Sequence, residues 1–274
     1  MTGGEGGDSV EPGPDPELGY DKDGHIATIV LNRPHRGNAL TPKMHDRMRA
    51  IWRNVQEDDD IRVVIITGAG DRHFSTGADV DIIADRGRVS QGSGPLNTEV
   101  FWSPRQANVL KPVICAVNGV CAGAGLHFVA DADIVLASRT ASFMDTHVNV
   151  GMVGGVENTA LAYRLPLGSV LRMTLMGKDY RMPATRAYAL GLVDELFEPD
   201  QLMEAAREMA AVIAANSPAA VQRSKQAIWQ SREVGYAHAS EYGWALVRMQ
   251  WGHPDFREGP LAFRENRPPN WANP

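Results

Sequence analysis

The sequence predicts a mixed α/β fold with a largely parallel sheet, followed by a helical C-terminal region. Apolar runs at 25–31 (HIATIVL), 62–68 and 113–117 bracket a stretch of helical periodicity, the order that lets right-handed crossovers build a parallel sheet. Two of these runs end in turns of small residues, FSTGADV at 74–80 and AVNGVCAGAGL at 116–126. Beyond residue 195 only helical patterns recur.

Taken in order, residues 1–20 (MTGGEGGDSVEPGPDPELGY) are rich in Gly, Pro and acids, have almost nothing to bury, and predict a disordered tail. Their five carboxylates, Glu5, Asp8, Glu11, Asp15 and Glu17, have no basic partner within the tail and hold five of the six net negative charges of the chain. The rest is nearly neutral, which argues against nucleic-acid binding. The start lacks the basic and apolar regions of a signal peptide, and no apolar run approaches membrane-spanning length, so a soluble cytoplasmic protein is expected.

A core domain is expected over 21–195. After the strand at 25–31 comes the loop NRPHRGNAL. Thr41 then reads as a helix N-cap with Pro42 at the first helical position, and Met44, Met48, Ile51, Trp52 and Val55 share one face. The strand at 62–68 leads into the first small-residue turn. The polar, Gly-containing segment 82–105 is expected to cover a pocket, with Phe101 and Trp102 either lining it or packing on the core. Pro112 opens the central strand, Asn118-Gly119 turns it, and a small-residue segment becomes helical. Short strands at 134–138 and 141–147 precede the loop VNVGMVGGVENTA and a helix around 168–176. MPATRAYALGLV reads as a helix stopped by Gly191 at C′. In the region 196–274, Leu202, Ala206, Met209, Val212 and Ile213 make one amphipathic face, Ser217-Pro218 restarts a helix, and 236–251 supplies a third. Cys115 and Cys121 match no zinc pattern or disulfide framework and read as packing residues of a reducing compartment.

The chemistry lies in main-chain amides. Gly119, Gly123 and Gly125 leave no Cβ over the second turn, so a ligand can approach the backbone where a helix begins and N–H groups point outward. The spacing excludes other glycine motifs. Phe128 stands where a dinucleotide fingerprint needs its third Gly, no Gly-Lys-Ser/Thr follows, and no G-x-S-x-G makes Ser75 a nucleophile. Two strand-to-helix turns, each aiming one N–H at one point, suit an enolate or tetrahedral oxyanion.

FSTGADV and AVNGVCAGAGL, in this order and about forty residues apart, resemble the signature of the crotonase superfamily, the enoyl-CoA hydratase/isomerase family, over residues 24 to 272. The resemblance implies a crotonase-like superhelix of ββα units, and a C-terminal helical region that packs on the core and on neighbouring subunits in trimers or hexamers. It implies oxyanion donors at the N–H of Ala78 and of Ala124, and an acyl-CoA thioester substrate, with coenzyme A part of the substrate and no other cofactor or metal. The two glutamates typical of hydratases in this family align with His127 and His147. Burial and the helix dipole favour a neutral His127, serving as base or hydrogen-bond donor. Asp145, two residues before His147, would share its side of an extended segment and orient its imidazole, or would merely cap the loop. Glu157 lies near where dehalogenase members carry an attacking aspartate, and can equally be a helix N-terminal acid. His73 reads as a surface loop residue. For the carrier, the resemblance points to His35, Arg36, Arg72 and Thr76 around the first turn, and to Phe263 and Arg267 near the C-terminus. Asp81 and Asn266 replace lysines common in the family. The implied activity is hydration or dehydration of a 2-enoyl-CoA, with isomerisation or hydrolysis through His147 or Glu157, or silent acyl-CoA binding, as alternatives.

Overall fold

The structure, a computed structural model, describes residues 15–87 and 92–274. Its elements run β1 (Leu18–Asp23), β2 (Ile26–Leu31), α1 (Pro42–Glu57), β3 (Val63–Gly68), β4 (His73–Ser75), α2 (Val80–Arg86), α3 (Leu96–Glu99), β5 (Val113–Val117), β6 (Val120–Ala122), α4 (Leu126–Asp131), β7 (Ile134–Ser138) and β8 (Ser142–Met144). They continue with α5 (Val156–Ala162), α6 (Leu167–Met176), β9 (Met182–Pro183), α7 (Ala184–Ala189), β10 (Glu195–Phe197), α8 (Leu202–Ala214), α9 (Pro218–Gln230), α10 (Tyr236–Trp251) and α11 (Asp255–Glu265).

Among the described residues the strands form two sheets, in the orders β1-β2-β3-β5-β7-β10 and β4-β6-β8-β9. β1 and β2 pair antiparallel, and β2, β3, β5, β7 and β10 run parallel. Each of β3, β5 and β7 lies in the large sheet and is followed by a short strand in the small one. Repetition of that step stacks ββα units along the sheets. It also carries the chain from the C-terminal end of a large-sheet strand, through a small-sheet strand, to a helix start, which is where the two small-residue turns lie.

Side-chain alternation divides the core. Val64 and Ile66 of β3, with Val113, Cys115 and Val117 of β5, join the main core, into which α1 inserts Met44, Met48, Ile51, Trp52 and Val55. Val63, Ile65, Ile114 and Ala116 face the other way and are covered by Leu202, Ala206, Ala210 and Ala214 of α8. The N-cap of α1 is Thr41, whose Oγ1 accepts from the Met44 N–H at 3.2 Å. Ser217 Oγ caps α9 by accepting from the Ala220 N–H at 3.2 Å. Both cysteines are unpaired and buried.

Several expectations are corrected. The predicted tail ends too late, because β1 begins at Leu18, Asp15 ion-pairs with Lys43 at 2.9 Å and Glu17 with Arg33 at 3.2 Å; residues 1–14 lie outside those described. The core sheet extends past residue 195, since β10 pairs with β7 through Phe197. On α8, Leu202 and Ala206 are buried as expected, with Met209 and Ile213 packed against them, but Val212 is 69% exposed and Ala210 and Ala214 complete the buried face. His73 lies in β4, paired with Val120. Trp102 is buried, while Phe101 carries the Arg49 guanidinium over its ring at 4.4 Å. Part of the covering segment 82–105 lies outside the described residues.

Candidate active site

The two small-residue turns meet. Gly77 has φ +90°, and a Cβ there would stand 2.9 Å from the Ala124 nitrogen, so glycine permits the contact both conformationally and sterically. A parallel bridge joins Leu40 to Ala78: Leu40 N–H donates to the Gly77 carbonyl at 2.8 Å, and Asp79 N–H to the Leu40 carbonyl at 3.0 Å. In such a bridge the N–H of the middle residue, Ala78, points to the opposite side. Ala124 lies in the 3₁₀ turn Gly123–Gly125 that leads into α4, where the first N–H groups have no intrahelical acceptor. Neither N–H has a main-chain acceptor among the described residues. Both alanines line one cavity of about 270 Å³, together with His127, His147 and Glu157. Its remaining wall is largely apolar, including Leu40, Ile82, Ile83, Val100, Trp102 and Met152.

The first turn is braced by ion pairs. Arg33 Nη1 donates to Asp79 Oδ2 at 2.9 Å and to the Ala39 carbonyl at 2.8 Å. Burial disfavours charge on Asp79, but the Arg33 and Arg36 guanidinium groups outweigh it and hold its carboxyl below the usual range.

The same cavity is lined by part of a chain of titratable groups. Asp145, fully buried, takes the His147 N–H at 3.0 Å and its Nδ1 at 2.6 Å. His147 Nε2 stands 3.2 Å from Glu157 Oε1, and His127 Nε2 stands 3.4 Å from Glu157 Oε2. One carboxylate is therefore shared by two imidazoles. Burial works against charge on His147, yet the hydrogen bond to Asp145 and the charges of Glu157 and Asp145 prevail and raise its pKa. Burial likewise raises the pKa of Glu157, partly opposed by His147. For His127 burial, helped by repulsion from His147 and His45, pushes the pKa down to about 3, so it is neutral at ordinary pH.

The Asp145–His147 contact arises by a different route from the extended segment expected. β8 ends at Met144, and His147 opens a 3₁₀ turn whose N–H and ring both fold back on Asp145. Gly154 closes over the pair; a Cβ there would come 2.7 Å from Asp145 Oδ2 and 3.1 Å from His147 Nδ1. Among the described residues no group of three His, Cys, Asp or Glu is arranged to hold a metal ion.

The proposed carrier residues stand apart from this cavity, and none of the six lines it. His35 and Arg36 are exposed on the turn after β2, and Thr76 packs against that turn through its N–H on the Gly37 carbonyl at 3.0 Å. Arg36 is engaged by Asp79 and Asp81, and Arg72 is exposed before β4. Phe263 of α11 is 90% exposed, while Arg267 is held by Glu258 and Glu265.

Two residues escaped the sequence reading. Gln106 Nε2 lies 2.9 Å from His127 Nδ1, and Asn158 Nδ2 donates to Asp145 Oδ2. Asn158 follows Glu157 directly on a helix start and could have been suspected. Gln106 lies in a loop with no periodicity and carries no local signal.

The enoyl-CoA hydratase/isomerase family model matches residues 21–274. The chain is 33% identical over 253 residues to (E)-benzylidenesuccinyl-CoA hydratase of Thauera aromatica, covering 89% of this chain and 94% of that protein. It is 35% identical over 249 residues to short-chain-enoyl-CoA hydratase of Clostridium acetobutylicum, covering 90% and 94%. The solved structure of an enoyl-CoA hydratase/isomerase from Mycobacterium paratuberculosis superposes with a TM-score of 0.84 at 40% identity, covering 94% of this chain and 99% of that one. The crotonase-like α/β fold and the matches along nearly the whole chain agree, and this protein is an enzyme belonging to the enoyl-CoA hydratase/isomerase family.

Proposed function

We propose that this enzyme adds water to a 2-enoyl-CoA thioester, or removes it from the 3-hydroxy product, through an enolate held by the N–H groups of Ala78 and Ala124. Support comes chiefly from one observation: two main-chain donors without protein acceptors line the same cavity as an ionisable Glu157–His147 pair. Hydration needs a base on water and an acid toward the α-carbon. With Glu157 ionised and His147 protonated, the carboxylate takes a proton from water as its oxygen bonds to C3. The C2–C3 π electrons move to the thioester oxygen, where the two amides stabilise the charge. His147 Nε2 then delivers its proton to C2. Glu157 is left protonated beside a neutral His147, and transfer across their 3.2 Å contact restores both.

His127 and His147 occupy, in this proposal, the places of the two glutamates typical of hydratases in the family, with Glu157 supplying the carboxylate. The carrier is coenzyme A. His35, Arg36, Arg72 and Thr76 meet its nucleotide beside the first turn, and Phe263 and Arg267 meet it from the closing helix. With Arg36 shared by Asp79 and Asp81, the grip on phosphate is loose. The helical region after β10 would join copies into a trimer or hexamer, for which the exposed Trp244, Val247, Met249 and Trp251 of α10 supply apolar surface.

A second reading, isomerisation, is favoured by the shared carboxylate, since a single base between two imidazoles can take a proton from one carbon and return it to another. Incubation with enoyl-CoA and 3-oxoacyl-CoA thioesters in deuterated and ¹⁸O-labelled water separates the outcomes. Hydration predicts ¹⁸O at C3 with deuterium at C2. Isomerisation moves the double bond without ¹⁸O, hydrolysis labels a released carboxylate, and binding with no product formed leaves a silent acyl-CoA binder; each of these refutes hydration.

A further inference from the structure

We infer that Gln106 is a positioning residue that locks His127 as its Nε2–H tautomer, so that this imidazole turns a fixed N–H edge toward Glu157 and is not a proton carrier. The orientation of the Gln106 amide is set from behind. Ser103 N–H donates to Gln106 Oε1 at 3.1 Å, and Gln106 N–H returns to Ser103 Oγ at 3.3 Å. Ser103 is itself held, its hydroxyl donating to the buried Asp131 at 2.5 Å. With the amide oxygen so engaged, the group 2.9 Å from His127 Nδ1 is the NH₂, which can only donate. Nδ1 must then be the lone-pair nitrogen, and a neutral imidazole carries its single proton on Nε2. Nε2 faces Glu157 Oε2 at 3.4 Å.

The groups around the ring keep it neutral. Burial is the largest influence on His127, and the His147 and His45 imidazoles add repulsion. Glu157 is the acid facing it, while Asp131, on the same short helix, is occupied by Ser103. The two oxygens of Glu157 thus have unlike partners. Oε2 faces an N–H edge that keeps its proton, and Oε1 faces His147, whose proton can move. Gln106 thereby confines proton traffic to the Glu157–His147 pair. The inference draws on the proposed hydration only for its kinetic consequence, because the tautomer is a property of the free enzyme.

The test is long-range ¹H–¹⁵N correlation of the full chain labelled at histidine, without substrate, across about pH 5 to about pH 9. The expected result for His127 is a protonated Nε2 and an unprotonated Nδ1 throughout. Gln106→Glu, which offers an acceptor where the amide donates, is expected to move the proton to Nδ1 or to charge the ring. Gln106→Met is expected to give a mixture of tautomers and, where turnover is measured, a fall in kcat of about tenfold with little change in KM. An Nδ1–H or charged His127 in the wild-type enzyme overturns the inference, and so does an unaltered tautomer in both variants. Absence of hydratase turnover with the expected spectra refutes the proposed reaction and leaves the tautomer lock standing.

Discussion

At the scale of single residues, His127 is the sharpest case of burial deciding protonation. An unfolded chain binds a proton at this histidine near the usual 6.5, whereas the folded chain refuses it until about 3. The unfolded state therefore binds more protons in between, and stability is lost as pH falls from about 6.5 toward 3. His147 works with the opposite sign: its raised pKa contributes stability that is present below about 6.5 and lost as pH rises through the folded value. Replacement of His127 by Gln, which cannot titrate, is expected to flatten the fall of Tm between neutral pH and about pH 4; parallel Tm curves for variant and wild type would show that the site does not hold His127 neutral. At Ala124 the side chain matters little and the N–H matters greatly. Ala124→Gly is expected to retain turnover. Ala124→Pro, lacking the donor, is expected to lose about a hundredfold to a thousandfold in kcat, with circular dichroism reporting whether the fold survives.

At the scale of elements, the helix caps tie the C-terminal region together. Ser217 Oγ accepts from the Ala220 N–H at the start of α9 and donates to the buried Asp255 of α11 at 2.5 Å. Ser217→Ala removes a cap and leaves Asp255 short of a partner, so urea denaturation is expected to report a loss of about 1 to 3 kcal/mol, and a change below about 0.5 kcal/mol would show that the cap is idle. The elements that could be read from sequence are those whose own residues specify them. β3 and β5 are apolar on both faces, and α1 announces itself with Thr41, Pro42 and a buried stripe. β1 was missed because, as an antiparallel edge strand, it needs little beyond Leu18 buried, and its charged remainder resembles a tail. β9 and β10, of two and three residues, exist by pairing with β8 and β7, which no local pattern reveals. The Gly-rich turns were legible because close approach requires glycine there. The spacing of Asp145 and His147 was legible too, but the turn that joins them was not. Gln106 acts through space from a loop, so its part in the site emerges only in three dimensions.

At the scale of the whole molecule, two sheets and the α8 layer hold two remote turns against each other, so that Gly77 backs onto the Ala124 nitrogen. Apolar side chains left outside this frame, among them Trp244 and Trp251 of α10, give the proposed assembly its surface. Light scattering on the purified chain is expected to return three or six times the 29.8 kDa chain mass, and a monomer would remove the assembly from the proposal. The most direct test of the active-site geometry is a crystal structure with an unreactive saturated acyl-CoA. The thioester oxygen should lie about 3 Å from both the Ala78 and Ala124 nitrogens, with C3 of the acyl chain toward Glu157. An oxygen bound away from either nitrogen, or an acyl chain seated in another cavity, would contradict it.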